Sequence, residues 1–354
     1  MFCNKMADAG FKIFVVLSIL LLFVSSILPF CLVLVATLAA VLLIDADLTL
    51  WFSEKFGAKP HEALRGKVVW ITGASSGIGE HLAYKLSEAG AKLILSARRV
   101  EELERVKEKC IELSPQDYKT SHKVLKMDML EMDAHVEHVE EAYKVFNHID
   151  CLVNNAGRSQ RAMAVDTTVD VSRAVLELNT VATISLTKAV LPQMMKRKSG
   201  LIVNISSLAG KLGNPVSAIY SASKHALHGY FDSLRMELSG SGIDILNVCP
   251  GPVESNVGAN SFGGELEETP KVGLTSAGKG YMSTPRCAHL ICVAMANRLH
   301  EVWISKNPFL LFTYLSQYTP GTAKWVGQWI GPRRVRAFKE GHENLFEAFL
   351  TWKK

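Results

Sequence analysis

The feature that most constrains this chain is a glycine turn set between a short apolar run and a helical pattern. Lys67-Val68-Val69-Trp70-Ile71 leads directly into Thr72-Gly73-Ala74-Ser75-Ser76-Gly77-Ile78-Gly79, after which Leu82, Ala83 and Leu86 recur at helical spacing. A short continuous apolar run suits a strand buried on both faces of a parallel sheet. Strand, glycine turn and helix together are the context that a dinucleotide-binding turn requires. Gly73 permits the tight turn, Gly77 lets a pyrophosphate approach the backbone, and Gly79 permits close helix packing. Ser75, Ser76 and Ile78 lie on the same turn, where the helix N-terminus offers free N–H groups to phosphate. The spacing is G-x-x-x-G-x-G rather than the commoner G-x-G-x-x-G, and an ordinary glycine turn could carry the same letters.

The next apolar runs extend the pattern. Lys92-Leu93-Ile94-Leu95-Ser96-Ala97 ends at Arg98 and Arg99, where an acidic residue would favour a free ribose hydroxyl. Two guanidiniums suit a 2′-phosphate instead, although they could equally open the charged helix beyond them. Val124-Leu125-Lys126-Met127 is followed by Asp128, placed to meet an adenine. Ile149-Asp150-Cys151-Leu152-Val153 runs into Asn154-Asn155-Ala156-Gly157, a strand ending in a second glycine turn beside the cofactor. Six or seven such runs alternate with amphipathic stretches, which predicts βαβ repeats and a parallel sheet.

A third constellation carries chemistry. Tyr220 and Lys224 are four residues apart, on one face of a helix. A phenol titrates near pH ~10, and a fixed ammonium close by favours the phenolate and lowers that value. Ser207 ends the apolar run Leu201-Ile202-Val203-Asn204-Ile205, where its hydroxyl can face the carbonyl oxygen that Tyr220 protonates. Tyr-x-x-x-Lys alone is a weak signal; its company makes it strong.

TGASSGIG, NNAG, Ser207, YSASK and the Pro250-Gly251 turn, in this order, resemble the short-chain dehydrogenase/reductase superfamily of classical type, over about residues 65–305. Within it, the chain is similar to the membrane-anchored branch near the corticosteroid 11-beta-dehydrogenases. The resemblance implies an α/β fold: a Rossmann-type doubly wound parallel sheet in a single domain. It also implies an Asn-Ser-Tyr-Lys tetrad on Asn179, Ser207, Tyr220 and Lys224. Asn179 would hold a water linking the lysine to solvent; by itself it reads as a helix-surface amide. Cofactor contacts would fall on Gly73, Ser75, Ser76, Gly77, Ile78, Gly79, Arg98, Arg99, Asp128, Asn155, Ala156, Gly157, Tyr220, Lys224, Pro250, Gly251, Val253 and Ser255. Ser255 stands where the family usually has threonine, and it keeps the hydroxyl. The implied cofactor is NADPH/NADP+.

Composition excludes several classes. The net charge of +5 is modest and the basic residues are scattered, so nothing points to nucleic acid. The seven cysteines show neither metal spacing nor a disulfide framework and read as free, mostly buried thiols. His135 and His138 could suggest a metal pair, but among so many glutamates they read as a solvated helix face; no metal site is expected. The sequon Asn204-Ile205-Ser206 falls in a core strand, where glycosylation is not expected.

Residues 13–44 contain no Asp, Glu, Lys or Arg, well past the ~20 residues that span a bilayer. With Pro29 dividing the stretch, one tilted or kinked anchor helix suits it better than a hairpin, and a cleaved signal sequence is the alternative. Flanking lysines nearly tie, while Asp45 and Asp47 tilt the domain toward the lumenal side of an endoplasmic reticulum membrane. The chain thus divides into a tail at 1–12, an anchor at 13–44, a linker at 45–64, a catalytic domain at 65–305 and an aromatic, basic extension at 306–354. In that extension Phe309-Leu310-Leu311-Phe312 and Trp325, Trp329 suit a membrane interface or the rim of a substrate channel. Packing on the same domain or on a second copy, as a homodimer, would account for them equally.

Together these features predict a membrane-anchored, NADPH-dependent carbonyl reductase, reversible as an alcohol dehydrogenase. By analogy its partners would be lipophilic steroid, retinoid or xenobiotic carbonyls or alcohols. The alternatives are an NAD-dependent hydroxysteroid or retinol dehydrogenase and a catalytically silent binding protein on the same fold.

Overall fold

The computed structural model describes residues 15–18, 21, 23–25, 29–33, 43–255, 260–267 and 280–341, in two units, 1–44 and 45–354. In the first unit an apolar helix, Val15–Val33, is long enough to cross a bilayer, and its described side chains are mostly exposed. The remainder of the expected 13–44 anchor lies outside the described residues.

The second unit is built on seven parallel strands: β1 Val68–Thr72, β2 Lys92–Ala97, β3 His122–Lys126, β4 Cys151–Asn154, β5 Gly200–Ile205, β6 Ile243–Pro250 and β7 Glu301–Ile304. Their spatial order is β3-β2-β1-β4-β5-β6-β7. The strand pleat sorts side chains onto two faces. Val69, Ile71, Leu93 and Leu95 pack with helices Gly77–Glu88, Val100–Leu113 and Thr284–Ala296. Val68, Trp70, Ile94 and Ile202 pack on the other side with His135–Phe146, Ala182–Arg197 and Ala218–Glu237. This is the expected doubly wound sheet. Its order reverses between β1 and β4, and a crevice opens outside the carboxyl ends of the strands at such a point.

The segment read as a linker is part of this unit. Ala46 bridges Ile304 antiparallel, Asp47 N–H donates to the Trp303 carbonyl at 2.8 Å, and the Asp47 carboxylate accepts from Trp303 N–H at 2.6 Å. Asp47 also caps helix Leu48–Phe56 by accepting from Leu50 N–H at 3.0 Å. Arg286 ties the segment down with bonds to Asp45 and Glu54. The chain therefore adds a short antiparallel edge to β7 and covers it with a helix, which blocks further strand addition there.

One helix reading is corrected. His135 does not lie on a solvated face: its ring is buried, Nδ1 pairs with Ser185 Oγ at 2.9 Å, and Nε2 lies 3.1 Å from the Met129 carbonyl. Glutamates at 137, 140 and 141 masked a buried stripe formed by His135, Val139 and Ala142. Asn204 is fully buried within β5, and the five cysteines in the described part of the second unit are free and buried.

Candidate active site

One cleft of about 670 Å³ runs along the carboxyl ends of the strands. The turn or loop leaving each strand sets one part of its wall. After β1, Gly73 and Gly77 take positive φ of 64° and 59°, a region side chains rarely adopt. A Cβ on Gly79 would lie 2.4 Å from the Gly73 carbonyl, so helix Gly77–Glu88 packs against its own entry turn only as glycine. The Asn155 amide donates to the Thr72 and Gly73 carbonyls at 3.0 Å each. Thr72 Oγ1 in turn accepts from Asn155 N–H at 3.0 Å and Ala156 N–H at 3.1 Å. The two glycine turns brace each other, and the Asn155 side chain serves that joint.

After β2, Arg98 and Arg99 line the cleft, with Asp128 after β3. Arg99 donates to Ser75 Oγ at 3.3 Å, and Arg98 lies 3.9 Å from Asp128 while staying largely exposed. Ser75, Ser76, Gly77, Ile78, Ala156, Gly157, Pro250, Gly251, Val253 and Ser255 line the same space. Gly251 is required where it stands, since a Cβ would meet Ser305 Oγ at 2.1 Å. A glycine-lined phosphate turn at a helix N-terminus with two guanidiniums one strand away fits a nicotinamide dinucleotide.

Past β5 the reactive groups gather. Ser207, in extended backbone, accepts from Ala209 N–H at 3.1 Å and donates to the Pro250 carbonyl at 3.3 Å, and its hydroxyl faces the Tyr220 phenol across the cleft they both line. Lys224, one turn beyond Tyr220, donates from Nζ to the Ile205 carbonyl at 2.9 Å and lies 5.8 Å from the Tyr220 ring centroid. Burial pulls Lys224 down to about 8. Tyr220 departs from the sequence expectation. Burial raises the phenol above its ordinary value, opposed by the Ser207 hydroxyl and the Arg161 charge rather than by Lys224. One of the lysine's three N–H donors goes to a backbone carbonyl, and desolvation of the phenol outweighs the pull of the more distant ammonium.

Asn179 is not a helix-surface amide. It is 1 % exposed, in a π-helical stretch, Glu177–Val181, inserted between Val169–Leu176 and Ala182–Arg197. Its Oδ1 accepts from Arg158 N–H at 2.8 Å, and its amide donates to the Arg158 carbonyl at 2.9 Å and Ser223 Oγ at 3.0 Å. A Cβ on Gly157 would lie 3.1 Å from Asn179 Oδ1 and 3.7 Å from Lys224 Nζ, so the three meet at one point. π-bulges of this kind concentrate at functional sites.

Of the next three features, two escaped the sequence, and the place of Phe309 and Phe312 beside the cleft is one of the readings it left open. Beneath the serine, His228 Nε2 lies 3.0 Å from Ser206 Oγ and Nδ1 lies 3.2 Å from Glu301, which Lys211 meets at 3.1 Å. Burial alone would raise Glu301, but the His228 bond and the Lys211 charge more than offset it and hold the carboxyl at about 2. Cys249 completes a trio of donor atoms with His228 and Glu301 within 4.8 Å, although Lys211 already supplies the counter-charge there. Secondly, the C-terminal helices Phe309–Tyr318 and Pro320–Lys339 wall the cleft with Phe309, Phe312, Arg334, Ala337 and Phe338. Thirdly, Arg161 joins Arg334 in that wall. Position i+4 after Lys224 could have drawn attention to His228; nothing local marks the arginines.

This fold and cleft define the class: an oxidoreductase on a dinucleotide-binding sheet. The chain belongs to the short-chain dehydrogenase/reductase family, and the sequence profile described as short chain dehydrogenase matches residues 67–265. It is similar to dehydrogenase/reductase SDR family member 7 of Homo sapiens, with 47% identity over 87% of this chain and 91% of that protein. Among solved structures, a short-chain dehydrogenase from Streptomyces avermitilis is 28% identical over 75% of this chain and 99% of its own, with a TM-score of 0.61. An alcohol dehydrogenase from Thermococcus sibiricus, solved with 5-hydroxy-NADP, shares the fold at 22% identity over 69% of this chain and 97% of its own, with a TM-score of 0.59.

Proposed function

We propose that this chain is a membrane-anchored carbonyl reductase that uses NADPH and acts on lipophilic ketones or aldehydes, reversibly as an alcohol dehydrogenase. The observation that carries the reading is the meeting of Ser207, Tyr220 and Lys224 in the cleft that also holds the glycine turn and Arg98–Arg99. The nucleotide, when bound, supplies or accepts the hydride. Ser207 holds the substrate oxygen by a hydrogen bond, and Tyr220 gives its proton to that oxygen as charge develops there. A phenol raised by burial stays protonated at neutral pH, which suits a proton donor and hence the reductive direction. Lys224, at about 8, is still largely charged near pH 7 and can pass a proton back toward the phenol. Asn179, fixed beside Gly157 and Lys224, orients that relay. Arg98 and Arg99 favour a 2′-phosphate through planar, charge-assisted hydrogen bonds.

The walls around Tyr220 include Leu208, Leu212, Val216, Phe309, Phe312 and Phe338, which supports an apolar substrate body. The helix Val15–Val33 supports a single-pass anchor, with the endoplasmic reticulum as our reading of its membrane and the lumen as the side of the catalytic unit. The test is detergent-purified protein with a panel of lipophilic ketones and either NADPH or NADH. Ketone-dependent oxidation of NADPH at least tenfold more efficient than that of NADH is expected. Equal use of both nucleotides would remove the role given to Arg98 and Arg99, and oxidation of neither would remove the reductase.

A further inference from the structure

Among the described residues, two cations at the substrate end of the cleft have no acid to meet them. Arg161 donates from Nη1 to Ser217 Oγ at 2.8 Å, and Arg334 donates from Nε to the Pro215 carbonyl at 3.2 Å. Both guanidiniums are therefore pinned on the loop 214–217 that leads into the Tyr220 helix. Each has five N–H donors, and among the described residues one is engaged on each. Among the described residues, no carboxylate lies within ion-pair distance of either, and the only acid lining the cleft is Asp128, at the β3 end beside Arg98. Burial and the neighbouring Arg161 charge pull Arg334 down to about 9, the direction expected when like charges share a poorly solvated wall. Leu212, Val216, Phe309, Phe312 and Phe338 line the same cleft, with the neutral polar side chains of Asn214 and Tyr281 among them.

Two like charges held on one partly buried surface oppose folding unless something negative occupies the space. The nucleotide's phosphates are accounted for at the other end, by the glycine turn and Arg98–Arg99. We propose that Arg161 and Arg334 form a carboxylate-recognition pair, so that this chain prefers lipophilic carbonyl compounds carrying a carboxylate away from the reacting carbon. The proposal rests on the reductase reading and narrows its substrate class.

The test uses a matched pair, 5-oxo-5-phenylpentanoate and its methyl ester, with the full-length protein in detergent and saturating NADPH. Charge-assisted hydrogen bonds to one carboxylate should favour the acid by about 10–100-fold in kcat/KM. Arg161→Met and Arg334→Met should each collapse that acid-to-ester ratio toward one, while Arg161→Lys should retain part of it. Thermal shifts induced by NADPH check that the variants are folded. If the arginines only pin the loop, the methionine variants would lower stability and leave the ratio unchanged, which would overturn the proposal; so would an ester that equals the acid in the wild type. Calorimetric titration of both probes in the presence of NADP+ reads the same ratio without turnover. Failure of both probes to react with either nucleotide counts against the reductase, and the binding ratio then decides the carboxylate pair by itself.

Discussion

The two ends of the cleft are made of different material. The nucleotide end is mostly backbone: glycines at 73, 77, 79 and 157, braced by the Thr72 and Asn155 hydrogen bonds. The substrate end is mostly side chain, drawn from loop 158–161, loop 212–217 and the helices Phe309–Tyr318 and Pro320–Lys339. A backbone wall tolerates little change, because a Cβ at Gly79 or Gly73 meets main-chain atoms that cannot yield. A side-chain wall can be rebuilt residue by residue without disturbing the sheet. Under the proposed function, the first end sets which class of cofactor is held, and the second sets which carbonyl compound is reduced. Tyr220 stands where they meet.

The largest effect should come from that junction. Tyr220→Phe removes the proton donor and should lower kcat by about 10²–10⁴-fold, while NADPH affinity, read by fluorescence titration, stays nearly constant. A variant that keeps more than about a tenth of wild-type turnover would show that another group delivers the proton. Next in size, Arg98→Ala should weaken NADPH binding by roughly 1–3 kcal/mol and hardly change NADH binding. Equal losses would make Arg98 a structural residue and blur the division between the two ends.

The smallest effect concerns Lys224. Its folded-state value of about 8 lies below the ordinary 10.5, so the unfolded chain binds more protons between those limits. Its burial thus opposes folding at neutral pH, and that opposition fades as pH rises from about 8 toward 10.5. Nucleotide-free Lys224→Met should lack this rise in thermal stability and should melt higher than wild type at pH 7. A pH profile identical to wild type would mean that Lys224 is better solvated than its surroundings indicate.

The same division explains how much could be read from the sequence. Local grammar writes the nucleotide end: strand, glycine turn and helix lie within Val68–Glu88, and the Tyr220–Lys224 pair shares one helix face. The doubly wound sheet was legible in the repeated apolar runs. The features that stayed hidden depend on long-range contact. Asn179 is buried because a π-bulge turns it onto Arg158 and Ser223, and His135 because Ser185 and the Met129 carbonyl satisfy its ring. Residues 45–64 lack a strong apolar pattern, yet Asp47 joins them to Trp303. Arg161 and Arg334 are far apart in the chain and meet only through loop 214–217. No periodicity announces such a pairing.

The most direct measurement tracks the hydride. NADPH carrying deuterium at the reactive nicotinamide carbon, given to the full-length protein with a lipophilic ketone, should yield an alcohol with deuterium at the carbinol carbon. Mass spectrometry of the product reads it, and the Tyr220→Phe protein should form almost none. An alcohol formed without deuterium, or labelled product from Tyr220→Phe at the wild-type rate, would contradict the mechanism assigned to this cleft.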